Sequence, residues 1–177
     1  MHRGVFSSSF LMLLAATATA QEKEGHETEE AAEAAKATPA LATALKEAKV
    51  TLGAGLHAAE KEGRPISGKF ELEDGKLQLS VYTMKGDKFS EVIVDHKTGK
   101  VAKAEGISGG DDLAAAQKQA KAMEKTKHAL RDVIARAEKA NPGFRAVGVV
   151  PEIEDGKPRA DVTLLKGNTS KSVDEQL

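Results

Sequence analysis

The stretch Leu72-Glu73-Asp74-Gly75-Lys76 returns as Ile153-Glu154-Asp155-Gly156-Lys157, 81 residues further on. Its surroundings return with it. Val81, Lys85 and Gly86 recur as Val162, Lys166 and Gly167, and upstream Ala59-Glu60-Lys61 recurs as Ala137-Glu138-Lys139, 78 residues on. Self-similarity over such a span reads as a duplicated supersecondary unit. The change of offset from 78 to 81 places three extra residues of the second copy in the Asn141-Pro142-Gly143-Phe144 connection.

Each echo is a hairpin tip. Asp-Gly suits the left-handed positions of a two-residue turn, and alternation flanks it on both sides. Ile66, Gly68, Phe70 and Leu72 share one strand face, and Leu77, Leu79 and Val81 share the same face of the next strand. Gly86-Asp87 turns the chain into a third strand, Phe89 to Asp95, and Lys97-Thr98-Gly99 turns it again before Val101. Before these strands, Leu41, Leu45, Ala48, Leu52, Leu56 and Ala59 recur at helical spacing. Pro39 fits the first turn of that helix, Gly63 and Pro65 end it, and Gly53 and Gly55 mark a kink or a close approach to the sheet.

In the second copy Met123, Thr126, Leu130, Ile134 and Ala137 carry the same stripe. One helix from about Asp112 to Ala140 is expected, with its Ala-rich start bridging the copies. Ser108-Gly109-Gly110-Asp111 is the joint, with Asp111 as N-cap. Strands follow at Phe144–Ile153 and Arg159–Leu165. The last strand, at the C-terminal end, is expected to be shorter than its counterpart. Pro151 and Pro158 belong at an edge or a strand end. The expected fold is α+β: two tandem units, each a helix on a three- to four-stranded antiparallel meander with one face to water. The boundaries are 39–107 and 112–177, with a linker at 108–111.

The N-terminal residues read differently. His2 and Arg3, the apolar run Val5 to Ala16 and the small residues Ala18-Thr19-Ala20 form a secretory signal segment cleaved after Ala20. The run is shorter than the roughly 20 apolar residues of a spanning helix, so no stable membrane anchor is expected. Residues 21–38 form an acidic leader rich in Glu and Ala, with no large apolar residue and therefore no expected fold. The whole chain carries a formal charge of −1, and loss of Arg3 makes it one unit more negative. That balance speaks against a nucleic-acid partner, which needs a clustered basic surface. Cysteine is absent, which removes thiol nucleophiles, thiolate metal sites and disulfides. The expected location is the bacterial periplasm or the secreted fraction.

The helix-and-meander order, closed by Val94-Asp95-His96-Lys97-Thr98-Gly99-Lys100-Val101, resembles the PepSY domain. The match covers about residues 41–105 well and 119–177 less well. The second copy departs from the pattern, ending at Asp174-Glu175 without Thr-Gly-Lys-Val. The resemblance implies an α+β fold, no catalytic residues, and a binding or inhibitory role, often restraint of secreted peptidases.

The residues themselves suggest no enzyme. His2, His26, His57, His96 and His128 show no metal-site spacing, and no cofactor is expected. Asp95 and Asp174 align near the ends of equivalent strands, where turn-forming roles are expected over acid–base chemistry. Lys97-Thr98-Gly99 has no Ser-x-x-Lys partner, Gly53-x-Gly55 follows no strand, and the acidic tips 73–74 and 154–155 offer too few oxygens for calcium. The expected partner is a protein or extended peptide, such as a secreted peptidase. It would bind an open sheet edge or the outer sheet face at Gln78, Ser80, Tyr82 and Met84. The alternative is a structural or ligand-sensing envelope protein.

Overall fold

The computed structural model describes residues 39–177, so the expected signal segment 1–20 and leader 21–38 lie outside the described residues. The chain folds as α1 (Pro39–Ala44), a 3-10 turn (Leu45–Glu47), α2 (Leu52–Ala59), β1 (Arg64–Glu73), β2 (Lys76–Lys85), β3 (Lys88–Val94) and β4 (Val101–Ile107). Then come α3 (Gly110–Glu124), α4 (Leu130–Ala140), β5 (Arg145–Glu154), β6 (Lys157–Lys166) and β7 (Thr169–Gln176). The architecture is α+β, with one seven-stranded antiparallel sheet in the order β4-β3-β2-β1-β5-β6-β7. The copies therefore do not stand as separate bodies: β1 joins β5 through Gly68↔Val149 and Lys69↔Gly148.

The repeat is visible in detail. β1 and β5, and β2 and β6, start and stop 81 residues apart. Asp74 and Asp155 take positive φ of 49° and 47°, and Gly75 and Gly156 follow at 74° and 75°, the left-handed pair that a tight hairpin needs. A bulge interrupts β1 between Pro65 and Ser67, and another interrupts β5 between Ala146 and Gly148, again 81 apart. Gly68 and Val149 are repeat-equivalent and pair with each other, so a local dyad passes through that pair. The last strand is not shorter than its counterpart. β7 spans 8 residues and β3 spans 7.

Pro151 lies inside β5, yet it costs no ladder bond toward β1. The β1–β5 bridge is confined to two pairs and leaves that stretch with a free side. Pro158 is the second residue of β6, near its end, as expected.

One sheet face carries the core. Leu79, Val81 and Val92 are fully buried there, together with Leu52 and Leu56 of α2 and Val133 and Ile134 of α4. Each such side chain contributes on the order of 1.5–3 kcal/mol. Gly55 sets the approach of α2, since a Cβ at this position would lie 2.5 Å from Leu79 Cδ2. Of the two readings for the helix glycines, the close approach is the one realised at Gly55.

The helices differ from expectation at corresponding points. The first breaks at residues 48–51, where the Lys49 and Val50 N–H groups donate to His96 O at 2.9 and 3.1 Å. Thr51 then caps α2, accepting from Ala54 N at 3.2 Å. The helix expected over 112–140 breaks at 125–129, where Thr126 Oγ1 accepts from His128 N at 3.0 Å. The two helices serve different faces: α3 meets Ser67 on one side of the sheet through Gln119, while Val133 and Ile134 of α4 are buried in the core on the other, so the chain must turn between them. α3 starts at Gly110 with Gly109 as N-cap, so Asp111 lies in the first turn beside Asp112 and faces the helix dipole.

Two arginines tie the halves together. Arg64 donates to Thr126 O at 3.0 Å, and Arg145, its repeat equivalent, donates to Leu45 O at 3.2 Å. Arg145 also donates to Val50 O at 3.5 Å, so each start-of-strand arginine reaches a carbonyl at the other half's helix break.

Candidate functional site

The sheet face opposite the core was expected to meet water, but α3 lies across its middle. Ser67 points away from Gly68, and a Cβ on Gly68 would touch Leu56 of α2. The Ser67 hydroxyl, on the other side, donates to Gln119 Oε1 of α3 at 2.7 Å. The small buried residues Ala116 and Ala120 let α3 come close.

The expected binding surface fares unevenly. Ser80 is sealed at 0% exposure: its hydroxyl donates to Glu71 Oε1 at 2.7 Å and accepts from Gln78 Nε2 at 3.0 Å. Gln78, Tyr82 and Met84 are partly buried. Tyr82 borders a hollow of about 200 Å³ under α3, with Ser67, Lys69, Asp112 and Gln119 around it. Burial, with Glu91, Glu71 and Asp112 nearby, pushes its phenol well above the usual tyrosine range. This is a packed joint more than an open platform.

Asp95 and Asp174 are not brought together. β3 and β7 stand five strand intervals apart in the sheet, roughly 24 Å. Asp95 forms the expected turn: its Oδ1 accepts from Lys97 N, Thr98 N and Thr98 Oγ1 at 2.9, 2.7 and 3.0 Å. These bonds, led by those from Thr98, hold its carboxyl below the usual range. Asp174 is not a turn residue. It lies in β7 directly opposite Asp161.

Glu152, Asp161 and Asp174 make a carboxylate group on the outer face of β5–β7. Burial first, and then like charge, raises the Glu152 and Asp161 carboxyls, while a Ser172 hydrogen bond opposes the rise at Asp161. Among the described residues no group of His, Asp and Glu has metal-holding geometry. No described helix is long and apolar enough to cross a membrane.

One feature was not read from the sequence, and a second was expected only as an open sheet edge on an unnamed strand. The first is a cleft of about 580 Å³ between the end of α2, the start of β1 and the α3–α4 joint. Leu56, Met123 and Leu130 form its floor, and Glu60, Arg64, Lys127, His128 and Arg131 its rim. Arg131 Nη1 pairs with Glu60 Oε1 at 2.7 Å and lies 3.1 Å from His57 Nδ1, clipping α4 to α2. The rim residues come from separate segments, so only the repeated Arg64/Arg145 pair could have signalled it.

The second is the outer edge of β7, which pairs only with β6 among the described residues, whereas β4 covers β3. Leu177 N–H donates inward to Pro158 O, and Gln176 O turns outward to accept from Arg136 at 2.6 Å. By antiparallel alternation, Ser172 and Asp174 also direct their backbone N–H and C=O groups outward.

No protein-family model, no curated protein and no solved structure matches the chain.

Proposed function

We propose that the chain is a non-catalytic, exported PepSY-like protein of the bacterial envelope. It takes up an extended segment of a partner protein by strand addition at β7. Two tandem PepSY-like units fit this reading, with α2 riding on β1–β3 and α4 on β5–β7 of the shared sheet. The observation that carries it is the open edge of β7, with outward backbone groups at Ser172 and Asp174. Its counterpart β3 has that edge filled by β4. Edge pairing draws affinity from main-chain hydrogen bonds and specificity from alternate side chains. Lys171, Asp174 and Glu175 along the edge discourage indiscriminate pairing. The Asp95 turn supports a structural role for the closing motif, because all its oxygen bonds fold back on its own loop. The family likeness points to a secreted peptidase as partner.

The test is inhibition of a thermolysin-like metallopeptidase by the purified protein, with two variants. Asp174→Pro removes the outward N–H, and Asp174→Ala removes only the carboxylate. Inhibition lost with the first and kept with the second is the expected result. Equal inhibition by both sinks strand addition, and loss in Tyr82→Ala alone moves the contact to the sheet face. The second reading, a ligand-sensing envelope protein, is favoured by the cationic cleft.

A further inference from the structure

We infer that the cleft at the α3–α4 joint binds the C-terminal carboxylate of a polypeptide whose last side chain is apolar. This site is distinct from the β7 edge and does not depend on strand addition there.

The chemistry of the lining points that way. Arg64, Lys127 and Arg131 bring three fixed positive charges to the rim, against Glu60 in the lining and Asp132, whose Oδ1 lies 4.0 Å from Arg131 Nε. Arg131 is committed to Glu60 at 2.7 Å, and Arg64 uses Nη2 on Thr126 O. Guanidinium keeps further N–H donors after one such bond, so both arginines retain capacity for an incoming anion. The rim thus suits one carboxylate with hydrogen-bond needs, held by charge-assisted bonds.

The floor limits the rest of the ligand. Leu56, Met123 and Leu130 are only 2%, 1% and 2% exposed. They offer a thin apolar patch that one side chain can cover. A long acyl chain needs a deep channel, and the floor here is closed by Leu56, Met123 and Leu130. At the start of α4, Ala129 supplies no side-chain cap. Asp132 N–H donates to Ala129 O at 2.9 Å, which leaves the Leu130 and Arg131 N–H groups without an intrahelical partner at this helix start.

The repeat supplies a comparison within the molecule. At the equivalent place in the other half, Val50 stands for His128, Gly53 for Arg131 and Phe144 for Gly63. There Thr51 caps the helix and His96 O covers the exposed N–H groups. Arg145 stands there for Arg64 and Lys49 for Lys127, so of the three cations only Arg131 lacks a basic equivalent, and its charge is the one the scaffold does not require.

The experiment uses the exported chain and a fluorescein-labelled hexapeptide, Gly-Ser-Gly-Ser-Ala-Leu, read by anisotropy at low salt. The probe is used as the free acid and as its C-terminal amide, with decanoate as competitor. Lys127→Glu and Arg131→Gln are the site variants and Lys139→Glu the control, each checked by thermal melting. The expected result is binding of the acid about tenfold tighter than the amide, weakened in both site variants and unchanged in the control. Equal binding of acid and amide overturns the inference. So does absence of binding by either at about 1 mM, or displacement by decanoate as efficient as by unlabelled peptide acid.

Discussion

Two glycines in α2 sit two residues apart and should respond oppositely to alanine. A Cβ at Gly53 meets nothing within 4 Å, while at Gly55 it lies 2.5 Å from Leu79 Cδ2 and 3.1 Å from Cγ. Alanine in a helix gains roughly 0.5–1 kcal/mol over glycine. Gly53→Ala should realise that gain. Gly55→Ala gains the same propensity but drives a methyl into Leu79, which is at 0% exposure and has no solvent side to retreat to. Overpacking of this kind costs about 1–3 kcal/mol. The two variants should therefore differ by about 1–3 kcal/mol, or roughly 4–12 °C in Tm for a domain of this size. Urea denaturation and thermal melting measure the gap. Adding Leu79→Val to Gly55→Ala should recover part of the loss as a positive coupling in the double-mutant cycle. If Gly55→Ala proves as stabilising as Gly53→Ala, α2 does not rest on β2 through Gly55, and the derivation of the core from that contact fails.

Two pH responses follow from the carboxylates. The Asp161 carboxyl is raised in the folded state, so the fold binds its proton more tightly than the unfolded chain does. Its contribution to stability therefore falls as pH rises from the usual carboxylate range through the raised value. Asp161→Asn should be more stable than the parent at pH 7, with the gap closing toward about pH 4; a pH-independent gap in urea midpoints counts against this. Asp95 behaves in the opposite sense. Its lowered carboxyl stabilises the fold above its unfolded pKa, and that stability is lost as pH falls through the folded value. In Asp95→Ala the Lys49 and Val50 amides should lose hydrogen-exchange protection at neutral pH, because the turn that presents His96 O is loosened. Unchanged protection would separate the turn from the helix break.

The strands were legible because their signals are local and steric. Asp-Gly at 74–75 and 155–156 can be read as a left-handed pair from residue type alone, and alternation around it sets the register. The helix breaks were not legible, because nothing there punctuates the chain. Neither 48–51 nor 125–129 holds glycine or proline, and the apolar stripe runs through both breaks in phase. Thr126 stays buried inside the break itself, so burial continued where helix did not. The path of α3 was hidden for a related reason. Its contact residues are alanines, which favour a helix but carry too little apolar surface to show which side they bury. Ser80 was expected on an exposed face for a different reason: its seal comes from Glu71 and Gln78, polar side chains of β1 and β2 that fold over it.

The duplication separates what the fold needs from what it leaves free. Features present in both halves at the same offset are structural: the Asp-Gly tips, the paired bulges, and the reciprocal bonds of Arg64 and Arg145 across the dyad. Each has a partner that its loss would strand, and each is explained by packing or hydrogen bonding alone. The differences need another account. Where the first half adds β4 beyond β3 and seals its helix break with His96 O, the second ends its side of the sheet at β7 among the described residues and borders an open cleft at its own break. An exposed strand edge is an aggregation risk, and uncompensated positive charge around a cleft brings repulsion. The edge alone does not separate the halves, since β4 also leaves its outer side unpaired among the described residues; the charge that the first half folds without is that of Arg131, whose equivalent is Gly53. The asymmetry between two copies of one unit is thus a pointer to function, at β7 in the second copy and at a cleft that both copies line.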